Sequence, residues 1–509
     1  MELVERNAMS VQAIVLVFYM VGMLALGFYN YRKNKNLSDY FLGGRNLGPW
    51  QSAMSAQASD MSGWLLLGLP GLAFALYMGT TEAIWTALGL AIGTYLNWLL
   101  VAKRLRKHTQ IAGNAITLPV YFENRFRDTT KLLRSISAIF ILVFFLVYTS
   151  AQFVAAAKLF ATLFTANYTT GLFIGCFTIV GYTFLGGFSA VCTMDTIQGI
   201  FLFLAMLLVP ITILNSMGGI GEVTTTLAGV TTEVFSWFPK TPEGGISLIL
   251  LVSAFGWGFG YFGQPHILAR FMAVKSSKEI KPARIIAMVW VITTLATAVI
   301  IGVLGSAYLS GGFMSPEATA SVTVDNEKIF LALVQNLMGP VIGGLLMAAV
   351  LAAISSTADS QLLVTASSVT EDLFMAFNKK QISDKALVLV SRGTVIVVSL
   401  IAVLLALNPE SSVFRLVAFA WGGFGAAFGP CILFSLYWKR MTLWGAFAGI
   451  LSGGVVSIVW HNLKGGIFEV YEIVPAFIIS CLAIIIVSMK TKVSQEIQEE
   501  FDRAQVADI

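Results

Sequence analysis

The sequence predicts an all-α polytopic membrane protein of about thirteen transmembrane helices, and three observations carry that prediction. First, 57% of its 509 residues are hydrophobic and only 12% are charged, with a mean hydropathy of +0.80, well outside the range of a soluble globular chain. Second, apolar runs long enough to cross a bilayer recur along its whole length. Third, most of its 32 basic residues fall in alternate loops, as the positive-inside rule requires of a multi-span protein. The net charge of +5 therefore records topology rather than an anionic partner, and no nucleic-acid partner is expected.

The first run, roughly residues 9–31, lacks a small-residue cleavage site and reads as a retained helix rather than a signal peptide. The others fall at about 47–77, 81–102, 131–163, 168–188, 192–214, 246–271, 284–310, 328–376, 387–407, 412–438, 443–461 and 470–490. The long 328–376 stretch leaves room for a short external helix before Gly339-Pro340. Basic clusters within 32–45, 103–134, 270–284, 379–392, 439–440 and 490–492 mark the cytoplasmic loops, and acid-biased loops at 222–243 and 317–327 mark the outside. An odd number of crossings then puts the N-terminus outside and the C-terminal tail, 491–509, in the cytoplasm. Cys176, Cys192, Cys431 and Cys481 lie in apolar segments without paired or metal-ligand spacing, so neither a disulfide nor a metal centre is expected.

Two of these helices carry sequences that resist a continuous α-helix, five helices apart. In the second, Ala58-Ser-Asp-Met-Ser-Gly63 sets a carboxylate, Asp60, and small residues in mid-membrane, where an unsatisfied polar group costs several kcal/mol. In the seventh, Gly256 to Pro265 packs four glycines and a proline into ten residues. Interrupted helices at equivalent positions of two halves point to inverted-repeat transporters with midplane sites. On that reading residues 47–214 hold helices two to six and 246–438 hold seven to eleven. Residues 1–46 supply the first helix and its loop, 215–245 an extracellular loop, and 439–490 two peripheral helices. Glycines serving only close helix packing are the plainer alternative.

Breaking a helix frees carbonyls, which suit a bare alkali cation, and amides, which suit a carboxylate. In the ninth helix Ser356, Thr357 and Ser360 share a face and offer hydroxyls toward such carbonyls; bonding back to their own helix is the alternative. Trp64, Tyr148, Trp257 and Tyr261 lie in or beside the breaks or mid-helix and suit the walls of a small-molecule pocket. Asp195 near the start of the sixth helix reads as a cap or as part of a second cation site, and Asp359 as a ligand, a cavity-facing acid or a paired one.

Several strings carry a resemblance: Gly43-Gly-Arg45; Ala58 to Trp64 with Gly68-Leu-Pro-Gly71; Gly256 to Met272; Thr370-Glu-Asp372; and Trp421 to Pro430. Through essentially its whole length the chain resembles the solute:sodium symporter family, and in Trp257 to Met272 its proline-transporting bacterial branch. The resemblance implies the leucine-transporter-type fold of two inverted five-helix repeats, with one helix before them and two after. It implies a sodium site at the carbonyls of Ala58, Met61 and Ala353 and the hydroxyls of Ser356 and Thr357. It implies a proline site at Ser62, Gly63, Trp64, Tyr148, Trp257, Tyr261 and Pro265, with Gln264 a further candidate. Asp60 is implied in sodium-dependent transport, Arg45 and Ser55 in coupling and gating. Asp195, Asp359 and Ser360 bear on a second cation, with Asp359 standing where a serine belongs in the two-sodium pattern.

The expected function is import of L-proline coupled to sodium entry by alternating access, in a bacterial inner membrane, with sodium as coupling ion and no cofactor or obligate protein partner. The same architecture carrying another amino acid, pantothenate or a sugar, or coupling to protons, is the alternative. A sensor usually appends a soluble signalling domain, which the short tail does not provide. A channel fits poorly with paired breaks, and the scattered His108, His266 and His461 without a nucleophile motif argue against an enzyme.

Overall fold

The computed structural model describes residues 2–31, 42–74, 79–164, 166–183, 187–230, 236–241, 245–378 and 383–507. The basic residues Arg32, Lys33, Lys35, Lys379 and Lys380, and Gly186, fall outside them. In chain order the helices are α1 (Glu2–Tyr31), α2 (Pro49–Asp60), α3 (Leu69–Ala73), α4 (Thr80–Leu96), α5 (Lys103–Ile111), α6 (Leu118–Arg125) and α7 (Leu132–Phe164). There follow α8 (Tyr168–Thr183), α9 (Phe188–Ser216), α10 (Ile220–Val230), α11 (Leu248–Gly256), α12 (Pro265–Met272), α13 (Ile280–Ser310) and α14 (Pro316–Val324). The last are α15 (Ile329–Leu337), α16 (Pro340–Ser367), α17 (Asp384–Leu405), α18 (Val413–Tyr437), α19 (Leu443–His461), α20 (Ile473–Lys490) and α21 (Gln495–Val506). Among the described residues β-pairing is limited to two isolated bridges, Leu47 with Val274 and Lys240 with Ile246.

Nine continuous helical stretches among the described residues are long and apolar enough to cross a membrane, and four shorter apolar ones accompany them. In a bilayer a helix satisfies its own backbone groups, so only its ends and breaks need outside partners. Proline at the first turn marks the starts of α2, α12, α14 and α16, where no amide is missed. Hydroxyl caps start α6 (Thr117), α11 (Ser247), α18 (Ser412), α19 (Thr442) and α21 (Ser494). The flanks face lipid: Phe177 on α8 is 81% exposed and Leu400 on α17 is 61% exposed. The centre is α16, nearly all of it buried, packed against α1, α2, α7 and α9.

Both suspect helices are interrupted. The first break is narrower than the sequence suggested: Ala58 to Asp60 complete α2, and the chain departs from helix at Met61 (φ −77°, ψ 71°) before re-entering a π-turn at Trp64. In the second, α11 ends at Gly256, a 3₁₀ segment runs from Trp257 to Gly263, and extended Gln264 (ψ 109°) precedes α12. Proline at 265 disfavours the helical conformation in the residue before it, which favours departure at Gln264. Gly260 is needed for space, since a Cβ there would lie 1.8 Å from Trp421 Nε1. A short helix, α15, does precede Gly339-Pro340.

The tail forms a helix, α21, which buries Ile497, Phe501 and Ala504 against α5 and its neighbours, because its apolar residues recur at helical spacing. Two expectations need correction. Asp195 is no cap, since α9 begins at Phe188 and Asp195 lies two turns in. Arg270 is no loop residue; it sits on α12 with no exposed surface.

Candidate ion and substrate site

At the end of α2 the amide that would close a helical turn onto the Ala58 carbonyl, that of Ser62, instead donates to Asp60 O at 2.8 Å. The freed Ala58 carbonyl accepts from Ser356 Oγ at 2.7 Å and Thr357 Oγ1 at 3.4 Å, and Ser356 Oγ also reaches Ala353 O at 3.2 Å. Four of the five residues expected around sodium are thus joined by their oxygens, across α2 and α16, and Met61 lies buried at the break itself. Every oxygen in the group is neutral. Each hydroxyl is donor and acceptor at once, so turning its hydrogen aside presents a lone pair to a cation without moving the backbone.

Asp60 ties the two breaks together. Its Oδ2 accepts from Tyr261 Oη at 2.5 Å, while its Oδ1 has no hydrogen-bond partner among the described residues. Tyr261 is itself held by Asn97 Nδ2 on its carbonyl at 3.0 Å and by an edge-on contact with Trp421, centroids 4.9 Å apart. Trp421 Nε1 donates to Trp257 O at 2.8 Å.

The residues expected around the substrate converge and are buried. The rings of Trp64 and Trp257 lie 5.9 Å apart, one from each break. The Gly63 amide donates to Gln152 Oε1 at 3.2 Å, and the Trp64 amide to Ser62 Oγ at 3.3 Å. Tyr148 stands on α7 with its ring edge-on to His266, 6.1 Å away. Gln264 donates its amide to Gly260 O and Trp421 O, both 3.1 Å, which braces the second break. Pro265 starts α12.

One turn along α16 from Ser356 a second polar group forms, and it holds a cation of the protein's own. Arg270 Nη2 donates to Asp195 Oδ2 at 3.1 Å and to Ser360 Oγ at 2.5 Å; Arg270 Nε donates to Ser55 Oγ at 3.0 Å. Ser55 in turn donates to Asp195 Oδ2 at 2.6 Å, and Arg270 Nη1 to His266 O at 2.9 Å. Arg270 and Asp195 both have fully buried side chains. Asp359 stays apart, accepting a hydrogen bond from Thr183 Oγ1 on α8.

Arg45 lies at one end of the bundle, where Gly43, Gly44 and Arg45 all have positive φ (60°, 63° and 53°). Two glycines adopt such angles without strain, which leaves Arg45 the one costly residue of the turn. Its guanidinium holds Met272 O at 2.6 Å, Ala115 O at 2.7 Å, Asn114 Oδ1 at 2.9 Å and Thr109 Oγ1 at 3.1 Å. Burial, helped by nearby Arg106, pushes it down to about 10, which leaves it charged at neutral pH.

Sequence reasoning missed several participants. Arg270 stands in a basic cluster near the end of an apolar run and so reads as a loop residue, although the run itself extends past it. Lys158 also stands within an apolar run; its Nζ pairs with Glu327 at 2.6 Å and Asp325 at 2.9 Å, while Glu327 also receives Ser412 Oγ and the amides of Val413 and Phe414 at the start of α18. Phe414 packs on Trp257, centroids 5.0 Å apart, which links that end of the bundle to the aromatic walls. Gln152 gave no signal, being one amide in a long apolar helix.

Comparison with known proteins agrees with this architecture. The osmoregulated proline transporter OpuE of Bacillus subtilis is 45% identical over 488 residues, covering 95% of this chain and 96% of that protein. The sodium/proline symporter of Escherichia coli K12 is 45% identical over 487 residues, covering 96% and 94%. Among solved structures, a Na⁺-coupled sialic acid symporter in a substrate-bound outward-open state shares the fold, with a TM-score of 0.75 at 21% identity, covering 95% of this chain and 99% of that one. The sodium:solute symporter family matches residues 40–453, and the chain belongs to that family.

Proposed function

We propose that this protein imports L-proline with sodium across a bacterial inner membrane by alternating access, on a thirteen-helix arrangement of two inverted five-helix repeats. The observation that carries the ion assignment is the Ala58 carbonyl, stripped of its helical partner and met by Ser356 and Thr357. The substrate assignment is supported by relatives named for proline at 45% identity and by paired tryptophans beside two amides.

Sodium binding at the Ala58 and Ala353 carbonyls with the two hydroxyls fastens α2 to α16. That fixes the break and holds the amides of Gly63 and Trp64 ready for the substrate carboxylate, which replaces the neutral oxygens of Gln152 and Ser62. Trp64 and Trp257 wall the pyrrolidine ring, and the ring faces and the Asp60 to Tyr261 pair accommodate the ammonium. Ion and solute therefore raise each other's affinity by the same factor. With one sodium per proline, a charge crossing 100 mV contributes about 2.3 kcal/mol and a tenfold sodium gradient about 1.4 kcal/mol, together roughly 500-fold accumulation.

The test is uptake into proteoliposomes under an inward sodium gradient, repeated with choline in place of sodium and with a panel of other amino acids, pantothenate and sugars. Sodium-dependent uptake selective for proline is expected. Proline uptake indifferent to sodium would overturn the ion assignment, and preference for another solute the substrate assignment.

A further inference from the structure

The face of α16 opposite the ion group borders a cavity of about 160 Å³. It lies between α1, α8, α9 and α16, with apolar walls from Met20, Met23, Leu24 and Phe177. Leu24 is 38% exposed, so with Phe177 it places the mouth on the lipid-facing flank. The floor is polar: Gln198 Nε2 donates to Tyr19 Oη at 2.9 Å and to Ser355 Oγ at 3.3 Å. Gln198 is 1% exposed, yet its Oε1 has no hydrogen-bond partner among the described residues. A buried acceptor left unpaired costs about 1–3 kcal/mol, so a donor arriving there recovers free energy the fold itself leaves unused.

We infer that this cavity binds one small neutral amphiphile from the bilayer, with a phenol-sized apolar body and a single hydroxyl that donates to Gln198. An apolar cavity of about 150 Å³ accepts benzene, which sets the size of the body. A charged molecule is disfavoured because none of the lining residues carries a charge and the walls are hydrocarbon. The occupant would touch Ser355, whose Oγ donates back to Leu351 O at 2.6 Å in the turn that carries Ser356. Occupancy thus bears on the sodium site, and that clause alone rests on the function proposed above.

The binding test needs neither sodium nor proline. 4-Fluorobenzyl alcohol is titrated into the full-length protein in lipid nanodiscs and followed by fluorine NMR, with empty nanodiscs alongside. A saturable bound signal is expected, lost in Gly181→Leu, because Gly181 lines the cavity and a Cβ there meets open space. Met20→Trp fills the same space from α1 and serves if the first variant does not fold. Gln198→Met should weaken binding about tenfold, and 4-fluorotoluene, without the hydroxyl, by a similar factor. Non-saturable partitioning equal to that of empty nanodiscs, or binding indifferent to the cavity-filling variants, would overturn the site. Equal affinity for 4-fluorotoluene would overturn the hydroxyl requirement.

Discussion

Two polar groups sit one turn apart on the buried helix α16, and they differ in whether they carry charge of their own. The group at Ser356 is built of carbonyls and hydroxyls and contains no charge of either sign. The group at Ser360 contains a carboxylate, Asp195, and answers it with the guanidinium of Arg270. A buried charge must be paired, so a carboxylate in hydrocarbon acquires a permanent partner from the chain. Neutral dipoles carry no such obligation, can bond one another, and can release those bonds when an ion arrives. The first arrangement suits a ligand that comes and goes; the second holds α2, α9, α12 and α16 together whatever the sodium concentration.

The largest effect expected from breaking this contrast is at Arg270. Arg270→Met leaves Asp195 buried without its cation and should cost about 3–5 kcal/mol, seen as a steep loss of folded yield and thermal stability. Adding Asp195→Asn should recover most of it; a double variant no more stable than the single one would show that Arg270 acts through packing rather than charge.

Ser356→Ala should raise the sodium concentration for half-maximal proline uptake by about tenfold or more, with little loss of stability, since the Ala58 carbonyl can keep Thr357 as donor. Thr357→Ala, whose bond is longer, should raise it less. Equal shifts in both would place the ion midway between the two hydroxyls.

Tyr261→Phe removes the donor to Asp60 and should lower proline affinity about threefold to tenfold, with sodium dependence retained. Isothermal titration at saturating sodium measures it. The smallest effect is expected far from both groups: Arg127→Ala breaks an ion pair with Glu500 whose arginine is half exposed, worth at most about 0.5–1 kcal/mol and fading at high salt.

The breaks were legible in the sequence because glycine, proline and a lone acid inside apolar runs contradict a continuous helix on local grounds alone. Which oxygens of those breaks meet was not, because Ala58 and Ser356 are brought together only by the packing of α2 on α16. The pairing of Asp195 with Arg270 was hidden for a related reason: a cation near the end of an apolar window reads as a loop boundary until its neighbours are known. Gln152 and Gln198 carry no charge and break no pattern, so only tertiary placement makes them visible. The helicity of α21 did have a signal, in the spacing of Ile497, Phe501 and Ala504, overshadowed by a polar composition.

The docking of α21 has a consequence for how the molecule is made. Arg125, 1% exposed, donates to Ile497 O at 3.1 Å and lies over the Phe501 ring, while Arg104 reaches Gln505 Oε1 at 2.6 Å. These partners lie 372 and 401 positions further along the chain than Arg125 and Arg104, so they are synthesised well after α5 and α6. Until α21 is made, then, Arg125 lacks the Ile497 carbonyl and the Phe501 ring, and Arg104 keeps only its contacts with Leu436 O and the Tyr437 ring.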